Sequence, residues 1–262
     1  MTYEQQYLEL LRRVRTAPLR STRNGDVHSF FGARIECLDV PNAFPLLTSK
    51  RVWMKGVMEE LAWFLRGSTN VQELRDAGVR IWDVNVPGTD AGPIYGYQWR
   101  NFGGSGYDQV AEVIRLLKEN PTSRRIFLSA WCPPQLSEMA LPPCHVSYQF
   151  YVDEQDRVCC QTYQRSVDVF LGLPFNMASA AALTMLVAAS TGRQAGDVYL
   201  CLGDVHLYAN HEEAADVQMA RNISTPPRAA VTRVSEDLMD VQRSDLRVEG
   251  YVHAGRIAAP LS

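Results

Sequence analysis

The chain has no C-x-x-C pair, no basic surplus and no unbroken apolar run near the roughly 20 residues that span a bilayer. Each absence removes a class. Its six cysteines, Cys37, Cys132, Cys144, Cys159, Cys160 and Cys201, are scattered or vicinal. That pattern suits neither a zinc site nor a disulfide framework, so no metal is expected and free thiols in a reducing cytoplasm fit best. A net charge of −3 argues against a nucleic-acid-binding face, because such domains carry a clear positive excess. The start Met1-Thr2-Tyr3-Glu4 lacks the basic and apolar regions of a signal peptide. Repeats, low-complexity tracts and linker-like stretches are missing too. What is present is 262 residues, 46% hydrophobic, enough to bury one large core. The reading is a single α+β domain over 1–262.

Apolar spacing sets the elements. Tyr7, Leu8, Leu10, Leu11 and Val14 predict a helix over 3–14, and Trp53, Val57, Leu61, Phe64 and Leu65 predict one over 53–66, closed by Gly67. Further helices are expected at 70–77, at 108–117 and, rich in small apolar residues, at 176–191. Strands are expected at 28–40, 125–131, 145–152, 157–163 and 198–202, the last leading into Gly203 to Tyr208. Asn24-Gly25 marks a turn. The glycine- and proline-rich stretch 83–106 reads as a long functional loop.

Chemistry concentrates in Pro142-Pro143-Cys144-His145 and in the run from Gln164 to Asn176. A thiol must be partly ionised to attack carbon, and cationic neighbours lower its pKa. Two prolines fix the backbone before Cys144, and His145 adds a polar neighbour, though adjacency does not make it the base. Arg165-Ser166 and Arg124-Arg125 could hold a phosphomonoester through forked guanidinium groups and a hydroxyl. Asn176 offers a donor and an acceptor to a uracil edge, and it would equally serve as a plain helix N-cap. Glu60 lies in an apolar helix, where burial raises a carboxyl into the range of a general acid or base. Asp204, His206 and Tyr208 alternate along a strand and share a face that could hydrogen-bond a sugar. Trp82, Tyr95, Trp99 and Phe175 are candidates to stack on a flat ligand, with core packing as the plainer role.

Taken together, these segments resemble the folate-dependent thymidylate synthases. The resemblance rests on Phe44-Pro45-Leu46-Leu47-Thr48, Glu59 to Gly67, Ile81-Trp82-Asp83, Gly92 to Arg100, Ser123-Arg124-Arg125, Leu141 to His145, Gln164 to Asn176 and Gly203 to Tyr208, in that family's order. It implies a mixed, twisted β-sheet packed by helices, a homodimer joined sheet to sheet, and conversion of dUMP to dTMP with 5,10-methylenetetrahydrofolate. It assigns the chemistry to Cys144, Glu60, Tyr95, His145, Asn176 and Asp168. For the nucleotide it implies Arg23, Arg165, Ser166, Asn176, His206 and Tyr208, with Arg124 and Arg125 donated across the dimer. For the folate it implies Lys50 (the glutamate tail), Trp82, Asn85, Leu141, Asp168, Leu171, Gly172 and Phe175. Three departures follow. Thr22 to Val27 differs from the family's phosphate loop, leaving Arg23 or Arg20 as the phosphate ligand. Asn85 and Cys132 stand where tryptophan and asparagine are common. The end Ala259-Pro260-Leu261-Ser262 is shorter and more polar than usual. A leakier closing tail would admit water in place of hydride, so the alternative product is a 5-hydroxymethyl pyrimidine nucleotide. A non-catalytic nucleotide- or RNA-binding homologue is the reading from another class, and Cys144, Glu60 and Asn176 together oppose it.

Overall fold

Thr2 opens the first helix with a reciprocal cap: its hydroxyl accepts from the Gln5 N–H while the Gln5 side chain accepts from the Thr2 N–H. In the computed structural model, which describes residues 1–260, the chain then runs through α1 (Tyr3–Arg15), β1 (Leu19–Thr22), β2 (Gly25–Cys37), α2 (Met54–Leu65), α3 (Gln72–Asp76), α4 (Tyr95–Arg100), α5 (Gln109–Glu119) and β3 (Phe127–Ser129). It continues with β4 (His145–Val152), β5 (Arg157–Asp168), α6 (Gly172–Ser190), β6 (Gln194–Tyr208), α7 (Glu212–Met219), β7 (Arg228–Val231) and β8 (Leu246–Glu249). The expectation attached to the end of the chain falls on Leu261 and Ser262, which lie outside the described residues.

Six strands form one sheet in the order β1-β2-β6-β5-β4-β3, and β7 pairs with β8 apart from it. Every neighbour in the large sheet is antiparallel except β5 and β6, which run parallel. A parallel pair needs a crossover, and α6 supplies it while packing on both strands, with α2 against its other side. The result is a mixed α+β fold with a mixed sheet covered by helices. On the opposite face Phe127, Tyr151 and Tyr163 share one side of β3, β4 and β5 and remain 46%, 62% and 42% exposed.

Four expectations change. The stretch 83–106 is not all loop, because Tyr95–Arg100 is helical. β3 is three residues rather than the seven anticipated from 125–131. The buried helix begins at Gly172, not 176, so Asn176 lies inside its first turns and is not an N-cap. Pro174 is tolerated there because N–H groups in a first turn have no intrahelical partner to lose. Finally, α6 has 19 residues and enough hydropathy to cross a membrane by length and composition, but 78% of it is buried inside the protein. It is the central core helix.

Candidate active site

Cys144 sits immediately before β4, and three groups fix its backbone. The Tyr95 hydroxyl accepts from the Cys144 N–H at 2.8 Å. The Arg165 guanidinium donates through Nε and Nη2 to the carbonyls of Pro143 and Pro142, at 2.8 and 2.7 Å. The Arg165 N–H donates to the Cys144 carbonyl at 2.9 Å. One arginine therefore spends part of its fork on the proline turn and keeps other N–H groups for a ligand. Burial raises the Cys144 thiol, while the Arg165 charge and the Tyr95 hydroxyl pull it down. Cationic neighbours were expected to lower it; Arg165 does so, but desolvation outweighs it.

Tyr95 is the hub of this arrangement. It starts α4 with φ 26°, a left-handed conformation rare outside glycine. Its ring stacks on Phe64 at 4.7 Å and on His145 at 4.3 Å, and burial lifts its phenol far above the ordinary range, so the hydroxyl keeps its proton. Gly96 lets α4 approach α2 so closely: a Cβ there would meet the Phe64 carbonyl oxygen at 2.2 Å. His145 is buried, its Nδ1 2.9 Å from the Tyr148 hydroxyl, and burial holds its pKa down to about 3. It is a neutral ring supporting Tyr95 and not a charged partner for the thiol.

Glu60 emerges from α2, and Trp82 Nε1–H donates to its Oε1 at 2.8 Å. Burial raises its carboxyl from 4.5 to about 7, against the lowering effect of that bond. Trp82 is itself only 7% exposed, with Trp63, Phe64 and Tyr95 around it. Its first role in this structure is to orient Glu60. The Asn176 amide donates to Gln164 Oε1 at 2.8 Å, and Gln164 is fully buried on β5. That bond leaves the Asn176 oxygen and a second N–H for a ligand edge.

The sugar and phosphate candidates converge. Ser166 is the register partner of Asp204 on the parallel β5–β6 pair, and Ser29 on β2 is the partner of His206. With Tyr208, Asp204 and Val27 they line a cavity of about 360 Å³ whose other wall is the β1–β2 hairpin, Arg20 to Asn24. Both Arg20 and Arg23 border it, and Arg23 Nε donates to Asn24 at 3.3 Å. Asp204 Oδ1 lies 3.1 Å from His206 Nδ1. Arg124 and Arg125 stay exposed beside β3 at the far edge of the sheet, so within one chain they do not join this cavity.

Among the residues expected to meet a folate, Asp168 ends β5 and accepts from the N–H groups of Phe170 at 2.9 Å and Leu171 at 3.2 Å, which ties it to the entry of α6. Leu171 and Gly172 start that helix, and Phe175 reaches toward Gly56 of α2. Leu141 is half-buried ahead of Pro142, and Asn85 is exposed with its N–H donated to the Trp82 carbonyl at 3.0 Å. Lys50 differs from expectation. It is 5% exposed, its ammonium donates to the Phe170 carbonyl and lies over the Phe170 ring, and burial lowers it to about 7. The ammonium is turned inward, away from the solvent that a flexible acidic tail would occupy.

Sequence reasoning did not single out Gln164, Tyr148 or His211. The first two sit at alternating buried positions whose polarity was the available signal. His211 follows the Gly203 to Tyr208 segment and gave no pattern of its own.

The site brings together a conformationally held thiol, a carboxyl raised to about 7 and, beside them, a cavity of about 360 Å³ lined by polar groups. The thymidylate synthase family model matches residues 5–262, and the chain belongs to that family. Its members use dUMP and folate substrates and transfer a one-carbon unit to the pyrimidine.

Proposed function

We propose that the protein methylates dUMP to dTMP with 5,10-methylenetetrahydrofolate. The observation that carries this reading is the Cys144 cradle, in which Tyr95 and Arg165 fix the thiol's backbone near the cavity of Ser166, His206 and Tyr208. Cys144 Sγ bonds to C6 of the uracil, and the C5–C6 electron pair shifts toward C5 and the C4 carbonyl, which makes C5 the nucleophile. Arg165 lowers the thiol as the ligand arrives, and it shares the phosphate with Ser166, one or both hairpin arginines, and Arg124 and Arg125 of a second copy. Asn176, oriented by Gln164, pairs with the N3–H and O4 edge. His206 and Tyr208 hold the sugar hydroxyl. Glu60, with a pKa of about 7, can give and take protons near neutral pH.

A folate fits the residues beside this cavity. Asp168 offers an acceptor to heterocycle N–H groups, and Leu141, Leu171, Gly172 and Phe175 offer apolar surface, with Trp82 and Asn85 at the margin. When bound, the folate supplies the one-carbon unit and the hydride. The uncovered sheet face with Phe127, Tyr151 and Tyr163 supports a second copy packed sheet to sheet. Six free thiols suit the cytoplasm.

The test is the mass of the nucleotide formed from dUMP and 5,10-methylenetetrahydrofolate, with the released folate identified alongside. Thymidylate and dihydrofolate support the reading. Hydroxymethyl-dUMP and tetrahydrofolate would move the protein to the hydroxylating reaction, and absence of any product would leave a binding protein.

A further inference from the structure

His28 stands on β2 between Val27 and Ser29, which line the cavity, and its own side chain takes the other face of the strand, toward α1 and α7. There Nδ1 is 2.7 Å from the Ala17 carbonyl oxygen, and Nε2 is 2.9 Å from Glu212 Oε1. Both partners only accept. A carbonyl has no proton to give, and the second oxygen of Glu212 is paired with Arg15 at 2.9 Å, as suits a carboxylate. A neutral imidazole donates from one nitrogen alone, so the two contacts are satisfied together only when the ring carries both protons. The other charges facing this region are Arg13 of α1, over the Phe30 ring, and Asp216 of α7, which takes the Arg15 guanidinium at 3.2 Å. The register partners of His28 are Leu19 and Leu207, while Arg20 of β1 and His206 of β6 border the cavity on the opposite face. Ala17 and Pro18 lead directly into β1, and the Pro18 carbonyl accepts from the Ser29 N–H at 3.2 Å.

We propose that His28 is a positioning residue whose doubly protonated ring pins the base of the β1–β2 hairpin to α7, and so sets where Arg20 and Arg23 stand beside the cavity. Loss of one ring proton forces a choice. If Nδ1 keeps its proton, Nε2 turns a lone pair to the Glu212 carboxylate; if Nε2 keeps it, Nδ1 turns one to the Ala17 carbonyl. Either arrangement sets acceptor against acceptor, and one tie opens. The hairpin is held most firmly at the acid end of the ring's titration and loosens as pH rises through it. The effect on a nucleotide rests on the proposed function; the tie between hairpin and helix does not.

The discriminating variant is Glu212→Gln, because an amide can donate to Nε2 as well as accept from it. With that amide in place, a neutral ring donates from Nδ1 to Ala17 and accepts at Nε2, so both ties survive deprotonation. His28→Leu lacks both ties at every pH. Hydrogen exchange at Ser29 and across β1, corrected for the intrinsic pH dependence of amide exchange, reads the hairpin. The NMR shifts of the His28 ring nitrogens locate its titration in the same sample. In wild-type protein, protection falls by about fivefold or more through that titration, in line with one lost hydrogen bond. In Glu212→Gln it stays level over the same range, and in His28→Leu it is level and low. At the alkaline end, KM for dUMP in the wild type exceeds that of Glu212→Gln by about threefold, with kcat unchanged. Wild-type protection that stays level through the titration would overturn the proposal, as would a fall in Glu212→Gln equal to the wild type's. Equal KM values would detach the tie from the cavity and overturn the positioning role. If His28→Leu fails to fold, the other two proteins decide, since both keep the ring. If wild-type protein makes no nucleotide product, the enzymatic reading fails, while exchange still judges the hairpin.

Discussion

Glu60 shows how one partly buried group couples stability to chemistry. Its carboxyl titrates at about 7 in the folded protein against 4.5 in the open chain, so the fold holds this proton more tightly. The stabilisation is complete below the unfolded value and is lost as pH rises through 7. Glu60→Gln removes that penalty. Its stability relative to wild type should improve by roughly 2–3 kcal/mol between pH 4 and pH 8, read from urea unfolding at both pH values, while turnover falls by about 100-fold or more. Equal differences at the two pH values would mean that the carboxyl is solvated. Tyr95→Phe removes the acceptor for the Cys144 N–H and one of the two influences that lower the thiol. The ascending limb of kcat/KM against pH should move to higher pH. Unfolding free energy should drop by about 1–3 kcal/mol, the cost of an unpaired buried N–H.

At the scale of elements, the site depends on how closely α4 meets α2. Gly96→Ala would drive a methyl group into the Phe64 backbone, with contacts of 2.2, 2.6 and 2.7 Å to its O, Cα and C atoms. Backbone cannot step aside as a flexible side chain can, so the loss should be at least about 2–3 kcal/mol, read as a lower denaturant midpoint. Activity should fall further than stability, because Tyr95 moves with the helix. Helices with a clean apolar stripe were legible: α1, α2 and α5 match their predicted spans to within two residues at either end. α4 was hidden, because Gly92, Pro93 and Gly96 read as loop residues while packing against Phe64 and Trp82 makes the helix. α6 was read as starting four residues late, since Gly172-Leu173-Pro174 looks like a turn and is in fact a helix start.

The whole molecule is argued from the two ends of its sheet. The cavity bordered by Ser166, Asp204, His206 and Tyr208 lies at the β1-β2-β6-β5 end, and Arg124 and Arg125 lie beyond the β4-β3 edge. If a second copy completes the site, Cys144→Ser and Arg125→Glu should each be inactive alone. Mixed, unfolded and refolded together, they should regain about a quarter of wild-type activity through statistical pairing of subunits. No recovery, or a monomer by sedimentation, would confine the site to one chain. Charges on the exposed face, as in Tyr151→Glu with Tyr163→Glu, should shift the sedimentation coefficient toward the monomer.

The sequence by itself determined the family and most of the longer helices and strands, and it picked out the residues proposed for the chemistry. Apolar period, turn residues and the runs around Cys144 and Asn176 are local signals, written within a dozen or so residues. Only the tertiary structure decided which groups meet: Trp82 with Glu60, Tyr95 with Cys144, Gln164 with Asn176, and His211 between Pro260 and Asp168. It also decided protonation, placing Glu60 near 7, His145 near 3 and Lys50 turned inward. Those pairs lie 12 to 49 residues apart in the chain, and a pKa follows from the dielectric and charges that folding assembles around a group. Neither has a signature in the order of the residues alone.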